Sequence, residues 1–381
     1  MAKRDGKFPE DVMIEVLSRL SAKSLFRFKC VCREWCSLFE NPSFISKHLR
    51  NDDNNRLFVT YMVTDVDDED GYSYPTDSFR LFPDETLTDI SLVDLDFQQP
   101  MREFLGGPFD GIFCIHGPTN DRLILCNLAT KESRTLPKRR VVFPRFCSIS
   151  GTIMGFGLDI MSNDYKLVMI HTLWNEKRQE LYEFAHVAMY NLRTNSWRDF
   201  KSFKSDHYVM SFWSGSLYAD GVCYWLSRFR NNDHTVILSF HLGNDVFEEV
   251  QEPYIPESEP TILGIYNHSL CVLLSHNIEN YYDIWVMKDK CWIKQLSIGP
   301  FVGVQRPLGF WKKGAFFVVS TSGQLLLYDP NTQEMRDLGV KCFDVSVHIY
   351  KESLIRLKEG DNLLDFDIPW HVLGVYQTNS C

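Results

Sequence analysis

The sequence predicts a small all-α module at the N-terminus followed by an all-β domain of the β-propeller type. Two patterns predict this division. Apolar residues recur at helical spacing between Phe8 and Leu49, whereas the rest of the chain repeats a unit of strand, polar turn and strand. With 381 residues, 44% of them hydrophobic, the chain is long enough to bury one small and one large core.

The module opens with an amphipathic helix predicted from about Pro9 to Leu20. Pro9 suits the first turn because the amide that it lacks is unpaired there in any helix. Val12, Val16 and Leu20 form one apolar stripe of this helix. A second helix is predicted to start at Ser24 as its N-cap.

Two further short helices complete the module. The third carries Trp35 and Leu38 and ends at the Asn41-Pro42 step, and Phe44 indicates a fourth. Short helices in about 45 residues cannot bury all of these apolar side chains by themselves. Part of the surface is therefore expected to face a partner or the second domain.

Five turns of similar sequence mark the β region. Their anchor residues are 64, 50, 45 and 43 residues apart and are Thr130, Thr194, Asn244, Asp289 and Thr332. Apolar runs between the turns add further strands, so each unit contains three or four antiparallel strands. Repeats of about 45 to 50 residues are typical of propeller blades. A β-sandwich is the alternative, but it would not explain five similar turns.

These patterns divide the chain into four segments. They are the helical module (1–48), a transition with an acidic loop and the first β elements (49–104), the β domain (105–357) and a C-terminal tail (358–381). Stacking of the blades is expected to bury aromatic side chains, namely Trp197, Trp225, Trp285 and Trp311.

Charge is unevenly distributed along the chain. Residues 1–50 hold 10 Lys/Arg and 6 Asp/Glu, which gives +4, whereas the remainder holds 30 and 44, which gives −14. An acidic body argues against nucleic acid as a ligand and favours a basic protein partner. No export signal and no apolar run of about 20 residues is visible, so we expect a cytoplasmic protein without membrane contact, the nucleus being left open, with free thiols.

Motifs for metal binding or catalysis are incomplete. Cys30, Cys32, Cys36 and His48 lack the paired spacing of zinc ligands. The acidic run Asp65 to Asp70 lacks the first ligand of a calcium loop, and Gly155-Phe156-Gly157 lacks the third glycine of a dinucleotide site. The basic cluster of Lys138, Arg139, Arg140 and Arg145 is better explained as a solvated loop than as a phosphate site. We predict no catalytic residue, no metal and no cofactor.

The N-terminal residues resemble a plant F-box from Phe8 to Leu38. The matching runs are Phe8-Pro9-Glu10-Asp11, Val16-Leu17-Ser18-Arg19-Leu20, Lys23-Ser24-Leu25, Phe28-Lys29-Cys30-Val31-Cys32 and Trp35-Cys36-Ser37-Leu38. The resemblance implies docking to a Skp-family adaptor and through it to a cullin. By position, the adaptor-facing residues would be Phe8, Pro9, Val16, Leu17, Leu20, Leu25, Val31 and Trp35. The alternative, that each of them belongs to the core of the module, stays open.

Residues 105 to 357 resemble the plant F-box-associated domain, which is kelch-like. The resemblance rests on Gly155-Phe-Gly-Leu-Asp, Ser162-Asn-Asp-Tyr-Lys-Leu-Val, Trp285-Val-Met, Trp311-Lys-Lys and Tyr350-Lys-Glu-Ser-Leu. It is most similar to the S-locus F-box branch, whose members recognise S-ribonucleases in pollen self-incompatibility. This implies a non-catalytic substrate receptor of a ubiquitin ligase. The alternative is an F-box protein that scaffolds or sequesters another partner.

Two loops are the candidate substrate contacts, because loops on a rigid scaffold commonly carry recognition. Their acidic residues, which would complement a basic S-ribonuclease, are Asp65, Asp67, Asp68, Glu69 and Asp70 in the first loop and Glu176 and Glu180 in the second. The alternative, that both loops are simply solvated, stays open.

Overall fold

The computed structural model of the chain combines a helical module with a ring of β-sheets. It describes residues 9–51, 55–63, 76–82, 87, 91–92, 104–116, 123–139, 143–182, 184–200, 203–204, 207–209, 216–229, 235–253, 258–276, 281–341 and 343–357.

Four helices form the N-terminal module in these ranges: α1 (Glu10–Ser18), α2 (Ala22–Phe28), α3 (Arg33–Glu40) and α4 (Pro42–Leu49). The predicted break at Asn41-Pro42 is confirmed, and Asn41 also caps α4 by accepting a hydrogen bond from the Ser43 N–H at 2.9 Å. The predicted start of α2 at Ser24 was wrong. Ser21 is its N-cap, because the Ser21 hydroxyl accepts a hydrogen bond from the Ser24 N–H.

The described strands form six antiparallel sheets, which are the blades of a propeller. Blade 1 contains β1 (Asn55–Val63), β2 (Thr76–Phe82), β3 (Ser91–Leu92) and the last strand of the chain, β27 (Phe343–Lys351). Blade 2 contains β4 (Phe104–Phe109), β5 (Ile112–His116), β6 (Leu123–Asn127) and β7 (Glu132–Thr135). Blade 3 contains β8 (Cys147–Asp159), β9 (Asp164–Asn175), β10 (Glu180–Leu181), β11 (Phe184–Asn191), β12 (Ser196–Asp199) and β13 (Phe203–Lys204).

The remaining three blades follow in chain order. Blade 4 contains β14 (His207–Val209), β15 (Leu217–Ala219), β16 (Val222–Phe229), β17 (Thr235–His241) and β18 (Val246–Val250). Blade 5 contains β19 (Ser258–Tyr266), β20 (Ser269–His276), β21 (Tyr281–Lys288) and β22 (Cys291–Ile298). Blade 6 contains β23 (Val304–Phe310), a 3-10 turn (Lys312–Gly314), β24 (Phe316–Ser320), β25 (Gln324–Asp329) and β26 (Glu334–Lys341). The predicted class, a helical module followed by an all-β propeller, is confirmed.

Each of the five predicted repeat turns joins two outer strands of a blade, from blade 2 to blade 6. The residue after each anchor has a positive φ, and these residues are Lys131, Asn195, Asp245, Lys290 and Gln333. A left-handed residue lets the chain reverse within a tight hairpin, and polar side chains tolerate that conformation better than bulky apolar ones do. The recurring sequence of the turns therefore reflects a recurring backbone requirement.

A separate apolar cluster fills each interface between neighbouring blades. Between blades 1 and 6, for example, Leu57 and Phe82 pack with Phe317 and Leu325, all of them buried. The other five interfaces hold one cluster each. Trp225 and Trp311 are buried as predicted, whereas Trp197 and Trp285 are half-buried.

The ring closes through pairing of the two ends of the β region. β27 pairs antiparallel with β1, with Leu57 opposite Ile349 and Val59 opposite Val347. The strand that completes blade 1 therefore comes from the opposite end of the chain. This pairing joins the first and last strands of the β region, so neither presents an unpaired strand edge to the other.

The two ends of the propeller differ. One end, the turn face, carries the tight turns after the inner strands, such as Asp110-Gly111 and Asp220-Gly221, and the five repeat turns. The other end, the loop face, is where β1 ends and β2 begins, and it carries the described parts of the connection between β7 and β8, residues 136–139 and 143–146. The helical module packs on the turn face, because Ala129 of a repeat turn and Leu354, just beyond β27, belong to its apolar cluster.

Candidate functional site

The helical module exposes apolar side chains in addition to those in its core. Val12 and Val16 lie one turn apart on α1, and Val31 lies between α2 and α3. Their exposed fractions are 44%, 53% and 63%. Exposed valines on a module that is already anchored to the propeller form a surface suited to a protein partner.

The predicted adaptor-facing residues fall into three groups. Pro9, Val16 and Val31 are exposed, and Leu20 and Trp35 are half-buried. Leu17 and Leu25 lie inside the module, at 4% and 0% exposure, so they shape the surface without reaching it. Phe8 lies outside the described residues. Val12, which the prediction omitted, shares the exposed face of Val16, and its place on the apolar stripe of α1 was the signal for it.

An ionic contact fixes α1 against α4. Glu15 accepts a hydrogen bond from Arg19 at 2.7 Å and pairs with Lys47 of α4, also at 2.7 Å. The hydrogen bond from Lys47, followed by that from Arg19, lowers the pKa of the Glu15 carboxyl below its usual range. His48, next to Lys47 on α4, donates a hydrogen bond from Nε2 to the Leu20 carbonyl at 3.0 Å, and burial lowers the pKa of its imidazole. These contacts hold the valine-bearing helix in a fixed orientation.

The segment Glu352–Leu357, which we name the strap, joins the module to the propeller. Leu354 is buried in the apolar cluster of the module together with Leu17 and Phe44. The Glu352 carboxylate accepts a hydrogen bond from the Ala22 N–H at 2.7 Å, at the start of α2, where backbone amides lack helical partners. The strap thus supplies both an apolar contact and a helix cap.

Polar contacts bind the strap to blade 2. The buried Asn127 amide donates hydrogen bonds to the carbonyls of Ser353 and Ile355 at 3.1 and 2.8 Å. Glu132 accepts hydrogen bonds from the Leu357 N–H at 2.8 Å and from Arg356 at 3.2 Å. Because one segment is held on both sides, the module and the propeller form one continuous packed unit.

The second candidate substrate loop is a compact turn on the loop face, between β9 and β10. The Asn175 side chain accepts hydrogen bonds from the N–H groups of Lys177 and Arg178 at 3.1 and 3.0 Å. Glu176 and Glu180 are exposed, and Glu180 lies 3.7 Å from Arg178. The first candidate loop, Asp65 to Asp70, lies outside the described residues; the strands that it joins end at Val63 and begin at Thr76.

The central channel contains a cavity of about 330 Å³ at its turn-face half. Inner strands of all six blades line it, and the lining residues towards the turn face include Phe109, Tyr218, Ile265, Phe310 and Ile349. Arg306 contributes charge to the wall and donates a hydrogen bond to the Val345 carbonyl at 3.0 Å. Burial lowers the pKa of His348, another lining residue, to about 4, so this imidazole is neutral near pH 7.

Four buried cysteines of the propeller are poorly suited to nucleophilic chemistry. Burial raises the pKa of the Cys126 thiol to about 12 and also raises the pKa of Cys114, Cys223 and Cys271. A nucleophilic cysteine needs a lowered pKa. Among the described residues, no three His, Cys, Asp or Glu side chains meet in a group that could hold a metal ion. No helix in the described ranges is both long and apolar enough to cross a membrane.

Two protein-family models match the chain. The model of the F-box domain matches residues 7–47, and that of the F-box associated beta propeller domain matches residues 94–371. The F-box protein At1g11270 of Arabidopsis thaliana is 27% identical over 281 residues, covering 70% of this chain and 80% of the relative. The F-box protein CPR1 of the same plant is 25% identical over 394 residues, covering 93% and 90%. Among solved structures, the Dos1 propeller aligns with a TM-score of 0.32 at 10% identity, over 72% of this chain and 67% of that one.

Proposed function

The chain belongs to the F-box proteins that carry an F-box associated β-propeller domain, and on this premise we propose that it is the substrate-recognition subunit of a Skp-cullin-F-box ubiquitin ligase. The observation that carries the proposal is the exposed pair Val16 and Val31 on a helical module that is fixed to a closed propeller. The module provides a docking surface for the adaptor, and the propeller provides a rigid scaffold for a substrate.

In this role the chain contributes position, not bond chemistry. Holding a substrate close to an activated ubiquitin raises the effective concentration of the two reacting groups. The packed strap keeps the distance between the adaptor surface and the propeller constant, which suits such a role.

Adaptor docking is tested by changing Val16 and Val31 together to aspartate. Burying a charge against an apolar partner surface opposes binding, and loss of a central anchor costs about 2 kcal/mol or more, roughly a 30-fold loss of affinity. The matched control is Val246→Asp, since Val246 is an exposed valine (41%) on blade 4. Undiminished co-purification of a Skp-family adaptor with the folded double variant would overturn the proposal.

We place the substrate on the loop face of the propeller. The helical module covers part of the turn face, whereas the loop face carries residues 136–139 and 143–146 of the connection between β7 and β8 and the strand ends at Val63 and Thr76. Loops that extend from a rigid sheet are the usual carriers of recognition.

The finer proposal is that the substrates are S-ribonucleases of pollen self-incompatibility. Its support is the resemblance of the sequence to the S-locus branch and the net charge of −14 outside residues 1–50, which complements a basic partner. Binding and ubiquitination of a panel of basic S-ribonucleases at low and moderate salt test it. Binding without ubiquitination would favour the scaffold alternative, and no binding to any member would remove the S-ribonuclease assignment while leaving the receptor role.

A further inference from the structure

Phe146, on the loop face, stands apart from the other residues with left-handed backbone. It has a φ of 65°, and in the described part of the chain thirteen further non-glycine residues have a positive φ. Twelve of these are polar, and the remaining one, Leu87, is buried. Phe146 is 49% exposed. A bulky apolar residue therefore occupies a position where both its backbone and its solvent exposure are unfavourable.

Neighbouring hydrogen bonds hold the ring in this position. The Phe146 carbonyl accepts a hydrogen bond from the Glu176 N–H at 2.9 Å, which ties the 143–147 segment to the turn between β9 and β10. That turn is itself closed by the Gln179 N–H, which donates to the Asn175 carbonyl at 2.8 Å. The segment that carries the ring is thus bonded to the neighbouring turn. Ligand binding therefore requires little further ordering of the backbone.

Two cations lie over the ring. The Arg145 guanidinium carbon is 4.8 Å from the ring centroid, and the Lys177 Nζ is 5.7 Å from it. Arg178 stands beside Lys177, with three quarters of its side chain exposed and its guanidinium 3.7 Å from the Glu180 carboxylate. Against the exposed carboxylates of Glu176 and Glu180 in the same turn, the three cations leave a net local charge of +1, which contrasts with the net charge of −10 on the whole chain. By comparison, Arg139 of the same basic cluster is already paired with Asp199 at 2.9 Å.

We propose that Phe146, Arg145, Lys177 and Arg178 form a docking platform for a short acidic peptide segment that carries an aromatic or aliphatic side chain. The ring takes the apolar side chain, and the three cations take the flanking carboxylates. A short segment meets only this local patch, whereas a long nucleic acid would also be repelled by the net charge of −10 on the chain. The proposal rests on the receptor role, since it names the chemistry of the substrate segment, and it is an alternative to the use of the same turn, through Glu176 and Glu180, for a basic S-ribonuclease.

The probe is the fluorescently labelled peptide Glu-Asp-Glu-Glu-Phe-Glu-Asp-Glu-Glu. Its affinity for the full-length chain is measured at low salt from the anisotropy of the label. One matched peptide replaces every acid with its amide, and a second replaces the central Phe with Ala. The protein variants are Phe146→Asn, which suits the left-handed backbone and so keeps the fold, and Lys177→Glu. The control is Lys290→Glu, because Lys290 is an exposed cation in a repeat turn of blade 5 and the charge change is the same.

The wild-type chain is expected to bind the acidic peptide at least about tenfold more tightly than the amide peptide. Lys177→Glu should weaken binding about tenfold, and Lys290→Glu should change it less than about twofold. In Phe146→Asn, the preference for Phe over Ala in the peptide should disappear.

Three results would overturn the platform: equal affinity for the acidic and amide peptides, an unchanged preference for Phe in Phe146→Asn, or tighter binding of polyuridine than of the acidic peptide. Adaptor co-purification is measured on the same samples. Adaptor binding without peptide preference rejects the platform and keeps the receptor role, whereas peptide preference without adaptor binding rejects the receptor role and supports the platform.

Discussion

Residues of the segment from Gly155 to Lys166, which carries the resemblance to the F-box-associated domain, serve to join blade 3 to blade 4. Lys166 is buried, pairs with the buried Asp159 at 2.8 Å and donates a hydrogen bond to the Leu242 carbonyl of blade 4 at 2.7 Å. Burial alone would raise the pKa of Asp159, but the hydrogen bonds from Lys166 and Ser162 outweigh it and lower the pKa. The role of this signature is thus structural.

Gly157 shows the same close contact between blades. A Cβ added there would lie 1.9 Å from a ring carbon of Tyr218, whose hydroxyl donates to the Leu158 carbonyl at 2.7 Å. Gly157→Ala is expected to destabilise the propeller by about 1 to 3 kcal/mol, because the Tyr218 ring cannot move without losing its hydrogen bonds. The measurement is the free energy of unfolding in denaturant.

The control for this substitution is Gly151→Ala on the same strand. A Cβ at Gly151 meets only the Thr172 hydroxyl, at 3.0 Å, which can rotate at the cost of one 3.2 Å hydrogen bond to the Gly151 carbonyl. Equal losses of stability in the two variants would contradict the role assigned to Gly157.

His348 links stability to pH. Burial lowers its pKa from 6.5 to about 4, so the folded chain keeps the ring neutral where the unfolded chain protonates it. The stability that it provides is complete above pH 6.5 and is lost as the pH falls towards 4. His348→Gln should therefore reduce the drop in unfolding temperature between about pH 7 and about pH 5. An identical drop in the two proteins would contradict this account.

At the scale of elements, the strap is the joint on which the geometry of the receptor depends. It contacts α2 through Glu352, the module core through Leu354 and blade 2 through the carbonyls that bind Asn127. Ser353, Leu354 and Leu357 of the strap are all buried, so it is held along its length.

Leu354→Ala is expected to loosen the helical module from the propeller. Removing a buried leucine costs about 2 to 5 kcal/mol, and here the cost falls on the interface between two units. Proteolysis in the connection 50–54 should become faster, because cleavage reports the population of the open form.

The matched control is Leu325→Ala, a fully buried leucine between blades 1 and 6. It should lower the unfolding temperature of the propeller without selective cleavage at 50–54. Cleavage at that connection in both variants alike would argue against a joint at Leu354.

At the scale of the whole molecule, stability depends on closing the ring with β1. Leu57, Phe58 and Val59 of this strand are fully buried, and they pack towards blade 6 on one side and blade 2 on the other. Without β1, the strand β27 would lose its hydrogen-bonded partner, and two interfaces would open together.

Two deletions test separately how the helical module and β1 contribute to stability. A chain that starts at residue 52 should keep the circular dichroism spectrum of a β protein and unfold cooperatively. Its unfolding temperature should be lower, because Leu354 and Ala129 lose their apolar contacts with the module. A chain that starts at residue 64 lacks β1 and should aggregate or unfold. Equal unfolding temperatures for the two chains would show that β1 does not close the ring.

The sequence by itself determined the elements whose signal is local. Helical spacing and the Asn41-Pro42 step predicted the module, and the five anchors predicted the turns of blades 2 to 6, because a tight turn constrains its own residues. Blade 1 had no such local turn signal, since its strands β1 and β27 lie at opposite ends of the β region.

Only the tertiary structure decided which residues of a local pattern face outward and which distant segments meet. Val16 and Leu17 both fit the helical pattern of α1, yet one is exposed and the other buried, because the orientation of α1 depends on α4 and the strap. Likewise, the candidate platform depends on the contact between Phe146 and Lys177, which lie 31 residues apart in the sequence. Periodicity records the neighbours of a residue along the chain, whereas burial and contact depend on segments that the fold brings together.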